Sequence, residues 1–171
     1  MFLPDYRVHR VTELAPAFLH EKGISALLLD VDNTLSTHGG QVPLEGLEDW
    51  IAQMQKAGVQ LLILSNAKRR RVAPFAEKLG LDYQSLSVKP LPIGYLRALR
   101  RLGVKRRQAA IVGDQLFTDI LGGRMAGVTT ILVDPILAEN GRSFRLRRKW
   151  EKKILSRREV CRPGQDAEKA P

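Results

Sequence analysis

A single cysteine, Cys161, stands among 171 residues, which excludes an internal disulfide and any thiolate cage for a metal. That scarcity fits a reducing compartment, so a cytoplasmic location is expected. Histidine is nearly as scarce: His9, His20 and His38 are scattered along the chain, and a histidine-rich metal site is excluded with them. Aromatic residues make up only 6% and carry no stacking or groove-reading motif, which counts against nucleic-acid recognition. No stretch nears the roughly eighteen apolar residues of a membrane span. Residues 1–5 lack the cationic start and apolar core of a secretion signal.

Charge is abundant but lopsided. The formal net charge is +10. Residues 142–162 hold ten Lys or Arg against Glu151 and Glu159, so most of the excess sits in a C-terminal tail and the body is close to balanced. Such asymmetry calls for an anionic partner, either a membrane surface or a nucleic acid.

With 44% hydrophobic and 27% charged residues, residues 1–171 have the length and composition of a single globular domain. Residues 1–23 read as a helical lead-in, 24–135 as an α/β core, and 136–171 as a basic C-terminal helix and tail. Largely apolar runs near 24–29, 59–64, 109–112 and 129–133 read as buried strands, and a weaker strand is expected near 83–88, five in all. Between them, Leu44, Leu47, Ile51 and Met54, then Val72, Phe75, Ala76 and Leu79, then Ile93, Leu96, Leu99 and Leu102 recur at helical spacing. These stripes close on Gly58, Gly80 and Gly103, as helix C-termini commonly do. A shorter helix is expected over 117–125. Strands alternating with helices predict a three-layer, Rossmann-like parallel sheet with helices on both faces.

Ligands of open parallel sheets bind at the carboxyl ends of the strands, and here each of the first four strands ends in polar groups. The first runs into Asp30-Val31-Asp32-Asn33-Thr34, the second into Ser65-Asn66, the third into Lys89-Pro90, and the fourth into Gly113-Asp114 with Asp119 beyond. Alone, each is an ordinary turn or helix cap. Together they are not ordinary, because carboxylates converging on one rim repel one another unless a cation joins them. Oxygen-only donors favour Mg2+ over zinc. For one ion to touch both Asp30 and Asp114, the first and fourth strands must be neighbours, which predicts the strand order 3-2-1-4-5.

These four segments, in order and on the expected elements, resemble the motifs of the haloacid dehalogenase (HAD) superfamily of phosphotransferases. Phe2-Leu3-Pro4-Asp5, Asp114-Gln115-Leu116, Leu121-Gly122-Gly123 and the arginine-rich end are similar to the small bacterial YqeG-like class IIIA group, itself similar to phosphatidylglycerophosphate phosphatases. The resemblance implies a Mg2+-dependent phosphatase working through an aspartyl-phosphate. It assigns Asp30 as nucleophile, ionised at neutral pH without an activating base. Asp32 becomes general acid and then base, its pKa raised by neighbouring carboxylates. Lys89 becomes the cation that offsets charge on nucleophile and phosphoryl group. Thr34, Ser65 and the backbone N–H of Asn66, where a helix begins, become phosphate contacts. The metal falls to Asp30, the carbonyl of Asp32, and Asp114; Asp119 either holds it through water or orients Lys89. Only about ten residues, 36–45, separate the first motif from the next helix, so no cap domain is expected over the site.

The tail carries Phe144, Leu146, Trp150, Ile154 and Leu155 within its cationic run. A basic amphipathic helix over 142–158 would lie on an anionic membrane, and packing of Trp150 on the body is the alternative. Together with this tail, the resemblance to phosphatidylglycerophosphate phosphatases implies a lipid phosphate of that kind as the expected substrate class, with the protein peripheral at the inner membrane face. A soluble phosphometabolite, nucleotide or phosphoprotein is the rival substrate, and a basic nucleic-acid-associated protein with a vestigial site is the rival of another kind. A receiver-type signalling domain is rejected by motif order, because Asp30 and Thr34 share the first strand end and Lys89 follows the third. Arg69-Arg70-Arg71 reads as a solvated first turn or a second phosphate contact, and His38-Gly39-Gly40 as a plain turn.

Overall fold

The computed structural model describes residues 3–37 and 40–136; the basic tail and His38-Gly39 lie outside them. Six strands form one parallel sheet: β1 (Tyr6–Val8), β2 (Ala26–Leu29), β3 (Gln60–Leu64), β4 (Asp82–Gln84), β5 (Ala109–Gly113) and β6 (Thr129–Val133). The spatial order is β1-β6-β5-β2-β3-β4, so the five strands read from the sequence lie in the expected order with β1 added at one edge. β2 is central and pairs β3 and β5 at once: Leu29 lies opposite Ile63 on one side and Val112 on the other. This pairing brings the ends of β2 and β5, and so Asp30 and Asp114, to one place.

Strand alternation explains the three layers. Leu27, Leu29, Ile63 and Val112 face one core, which is closed by α1 (Pro16–Glu21), α2 (Leu47–Lys56) and α3 (Arg69–Leu79). Leu28, Leu62, Leu64 and Ile111 face the other, closed by α4 (Pro92–Leu102) and α5 (Leu121–Ala126). Continuous apolar strands buried on both faces are what a doubly covered parallel sheet requires. Trp50 of α2 is buried, and its indole N–H donates to the Leu14 carbonyl at 2.9 Å.

Several expectations need correction. The lead-in is not simply helical, because residues 6–8 pair with β6 at the sheet edge. Tyr6 meets Phe18 edge-on at 5.0 Å, and Asp5 accepts hydrogen bonds from the Thr130 N–H and hydroxyl while pairing with Arg124 at 2.7 Å. The third strand is shorter than read, ending at Gln84 rather than near 88. The helix read over 117–125 is a π-helical turn, Leu116–Ile120, followed by α5.

The adjacent pair Gly122-Gly123 has a packing reason. A Cβ on Gly122 would meet the Tyr95 hydroxyl within 2.5 Å, and one on Gly123 would strike Ile111. Among the described residues, no inserted domain separates β2 from α2 or β4 from α4. Nor is any helix long and apolar enough to cross a membrane.

Candidate active site

After β2 the chain turns at once. The Thr34, Leu35 and Ser36 N–H groups all donate to the Val31 carbonyl, and Asn33 takes a left-handed φ of 58°, a conformation asparagine tolerates better than most residues. Asp30 is held at the strand end by its N–H, which donates to the Val112 carbonyl of β5. Its side chain is buried, at 9% exposure.

Lys89 reaches the same spot from the segment after β4. Its ammonium is 2.6 Å from Asp30 Oδ1 and 2.7 Å from Asp119 Oδ1. Burial opposes a charge on this amine, but Asp119 and Asp30 outweigh it and raise its pKa, so Lys89 stays protonated. Its backbone is fixed by Asn66, whose amide donates to the Lys89 carbonyl at 3.0 Å and whose Oδ1 accepts from the Lys89 N–H at 2.7 Å. The Lys89–Pro90 peptide is cis.

Asp119 arrives from the π-helical turn. One oxygen holds Lys89, and the other accepts from the Gln115 N–H at 3.2 Å. Its approach needs Gly113, since a Cβ there would come within 2.5 Å of the Asp119 carboxylate. Tyr95 supports the turn by donating to the Thr118 and Asp119 carbonyls at 3.1 and 3.3 Å. Burial, with Asp119 beside it, raises the pKa of that phenol, which keeps it a donor.

Asp30, Asp114 and Asp119 each offer a carboxylate oxygen, and these lie within 4.8 Å of one another. Three buried carboxylates bring up to three negative charges, of which Lys89 offsets one. A hard dication suits both this charge and this all-oxygen donor set, so the residues fit Mg2+.

Burial pushes the Asp30 carboxyl up to about 7, against the pull of Lys89 and with Asp119 and Asp32 adding to the rise. The charge on Asp30 near neutrality is thus tied to the cations around it, Lys89 first.

Asp32 and Asn66 also depart from expectation. The Asp32 carboxylate is hydrogen-bonded as an ion pair by the guanidinium of Arg71, a cationic partner that the sequence reading did not assign to it. Helix α3 begins at Arg69, with Lys68 as its N-cap. Asn66 therefore opens no helix, and its side chain is committed to Lys89. Ser65 is buried, and its hydroxyl oxygen accepts from the Ala67 N–H at 3.1 Å; this local turn delays the helix.

A pocket of about 190 Å³ is lined by Asp30, Asp32, Ser65, Asn66 and Lys89, as the sequence indicated. Arg71, read as a solvated residue or a second phosphate contact, also lines it, and Ala67, Gln115 and Thr118, which were not read as site residues, complete the lining. The signals for them were the basic run after Ser65 and the interior of the Asp114–Asp119 motif. Thr34 does not line this pocket; its hydroxyl is buried without a hydrogen-bond partner. A larger hollow of about 230 Å³ over Pro43, Leu44 and Gly46–Asp49 contains none of the clustered carboxylates, so volume alone does not mark the site.

Comparison with known proteins places the chain in a family. The family model described as haloacid dehalogenase-like hydrolase matches residues 6–127. A probable phosphatase, YqeG of Bacillus subtilis, is 36% identical over 155 residues, covering 91% of this chain and 90% of its own. Ribulose-1,5-bisphosphate 5-phosphatase of Halopiger xanaduensis is 31% identical over 97 residues, which span 52% of this chain and 41% of that one. Among solved structures, 3-deoxy-D-manno-octulosonate 8-phosphate phosphatase from Yersinia pestis superposes with a TM-score of 0.54 at 19% identity, over 71% of this chain and 70% of that one, a likeness of fold. This chain belongs to the haloacid dehalogenase-like hydrolases.

Proposed function

We propose that the protein is a Mg2+-dependent phosphatase that cleaves a phosphate monoester through a phosphorylated Asp30. The observation that carries this reading is the buried Lys89 ammonium bridging Asp30 and Asp119 beside Asp114. Asp30 attacks phosphorus, the P–O bond to the leaving group breaks, and Asp32 supplies the proton to the departing oxygen. Asp32 then takes a proton from water, whose oxygen attacks phosphorus and frees Asp30 and inorganic phosphate. For this, Asp32 must exchange the guanidinium of Arg71 for the leaving oxygen. Ser65, placed in the pocket, serves as a phosphate contact, and Thr34 serves beside it once its hydroxyl is recruited. Asn66 acts one step back, as the residue that positions Lys89. Asp30, Asp114 and Asp119, with the Asp32 carbonyl, would hold Mg2+, which supplies charge neutralisation and in-line orientation of the phosphoryl oxygens.

Lipid phosphate of the phosphatidylglycerophosphate kind is the substrate class we assign, acting at the inner face of the membrane. It is supported by the uncapped site, which admits a phosphate on a large or surface-bound body, and by the basic run at 68–71. The soluble-substrate reading has support of its own in relatives named for small phosphates, such as phosphoglycolate phosphatase of Chromobacterium violaceum. A vestigial site on a nucleic-acid-associated protein is opposed by the complete set Asp30, Asp32, Lys89, Asp114 and Asp119. The deciding experiment is phosphate release, with Mg2+ and after chelation, across phosphatidylglycerophosphate, sugar phosphates, nucleotides and phosphopeptides. Preferred metal-dependent release from the lipid supports the assignment. Preference for a soluble phosphate overturns its lipid part, and no release from any overturns the whole.

A further inference from the structure

Around the pocket mouth the usual order of side chains is inverted. Ser87 and Lys89 turn inward and are buried, while Leu86, Val88, Leu91 and Ile93 turn outward at 59%, 55%, 51% and 49% exposure. Leu86 and Val88 reach solvent through left-handed backbone, with φ of 50° and 55°, a conformation unfavourable for leucine and more so for a β-branched valine. Four large apolar side chains within eight residues thus stand in water on the rim of a polar site. Scattered apolar residues on a surface are unremarkable, but a contiguous group marks a contact surface.

The neighbouring rim is cationic. Lys68, Arg69 and Arg70 are exposed on the turn into α3. That turn is bonded to the apolar segment, because the Leu86 N–H donates to the Ala67 carbonyl and the Ser87 N–H to the Ser65 carbonyl, at 3.1 and 3.0 Å. Arg97 and Arg100 follow Ile93 on exposed positions of α4. No Asp or Glu occurs in 66–76 or 85–102, so these two segments themselves carry charge of one sign only; the nearby carboxylates of Asp32 and Asp82 are paired with Arg71 and Arg101.

We propose that this rim is a docking face for an anionic lipid bilayer, with Leu86, Val88, Leu91 and Ile93 entering the interface and Lys68, Arg69 and Arg70 lying against the headgroups. Apolar insertion combined with a cationic border suits that surface, and it turns the pocket mouth toward the lipid phosphates. The inference deepens the lipid-phosphate reading and places membrane contact on the catalytic body, independently of residues 142–158.

The test uses the full chain and sedimentation with vesicles of phosphatidylglycerol and phosphatidylcholine, or of phosphatidylcholine alone. One variant combines Leu86→Asn, which asparagine's tolerance of left-handed backbone permits, with Leu91→Ser at the N-cap of α4 and Ile93→Thr. A second combines Lys68→Glu, Arg69→Glu and Arg70→Glu, acidic residues that a helix start accepts. The apolar variant is expected to lose roughly fivefold or more in binding to the anionic vesicles, and the charge variant about tenfold or more. Wild type should bind phosphatidylcholine vesicles far more weakly. Unchanged binding by the apolar variant overturns the proposal, even if the charge variant binds less. So does a wild-type dimer that the apolar variant dissociates, which would assign the face to a second copy. Hydrolysis of p-nitrophenyl phosphate by wild type and the apolar variant is measured in parallel. Its absence in wild type would indict the phosphatase reading and leave the docking result to stand on its own.

Discussion

The side-chain amide of Asn66 holds both backbone polar groups of Lys89, accepting from its N–H at 2.7 Å and donating to its carbonyl at 3.0 Å. A residue at the end of β3 thereby sets the position of an ammonium that must meet Asp30 at the end of β2. Asn66→Ala should lower kcat/KM by about 10²-fold through misplacement of Lys89, with kcat carrying most of the loss. Asn66→Asp, which keeps the acceptor and loses the donor, should recover part of it. Steady-state kinetics on p-nitrophenyl phosphate check this. A loss confined to KM would instead make Asn66 a direct substrate contact.

Gly113 is the second positioning element. Gly113→Ala would drive a methyl group against the Asp119 carboxylate, which must shift and release Lys89. Activity should fall steeply, with a lower thermal midpoint, because overpacking a filled interior costs about 1–3 kcal/mol. A Gly113→Ala enzyme with wild-type activity would show that Asp119 need not sit where it does.

The carboxylate cluster can be read by calorimetry without any substrate. A ligand that binds only the folded state raises stability by about 2.7 kcal/mol at a hundredfold excess over its Kd. Mg2+ should therefore raise the unfolding temperature of wild type, and Asp114→Asn should largely remove that rise. An equal rise in both proteins would place the ion elsewhere.

The edge strand β1 is tied down by Asp134, which accepts from Arg7 at 2.6 and 3.1 Å and is 3.0 Å from His9 Nδ1. Partial burial pushes its carboxyl up, but the His9 and Arg7 hydrogen bonds and the guanidinium charge outweigh this and hold it below its ordinary value of 3.8. A depressed carboxylate contributes stability above its unfolded pKa and loses it as pH falls through the folded value. Asp134→Asn should thus melt below wild type near neutrality, with the difference shrinking once pH drops below 3.8. A difference independent of pH would mean the ion pair contributes nothing.

Much of this was legible in the sequence because a parallel sheet places chemistry at strand ends, and those ends are visible where an apolar run stops. Asp30, Lys89, Asp114 and Asp119 were found that way, and the need for Asp30 and Asp114 to meet fixed which strands are neighbours. What escaped reading depends on distant partners. Tyr6–Val8 is a three-residue strand with no alternating pattern, held by β6, Phe18 and Asp134. Arg71 looks like any solvated arginine until the turn after β2 brings Asp32 to it. Asn66 follows a serine in a pattern typical of helix caps, and its commitment to Lys89 appears only once β3 and β4 lie side by side.

Phosphate release from p-nitrophenyl phosphate by wild type and Asp30→Asn, both with Mg2+, tests the central claim most directly. The substitution is close to isosteric and removes a charge that burial disfavours, so the fold should persist, as circular dichroism would verify. Release by wild type and none by the variant is the predicted result. Equal turnover by a folded Asp30→Asn protein would contradict the assignment of Asp30 as the attacking group.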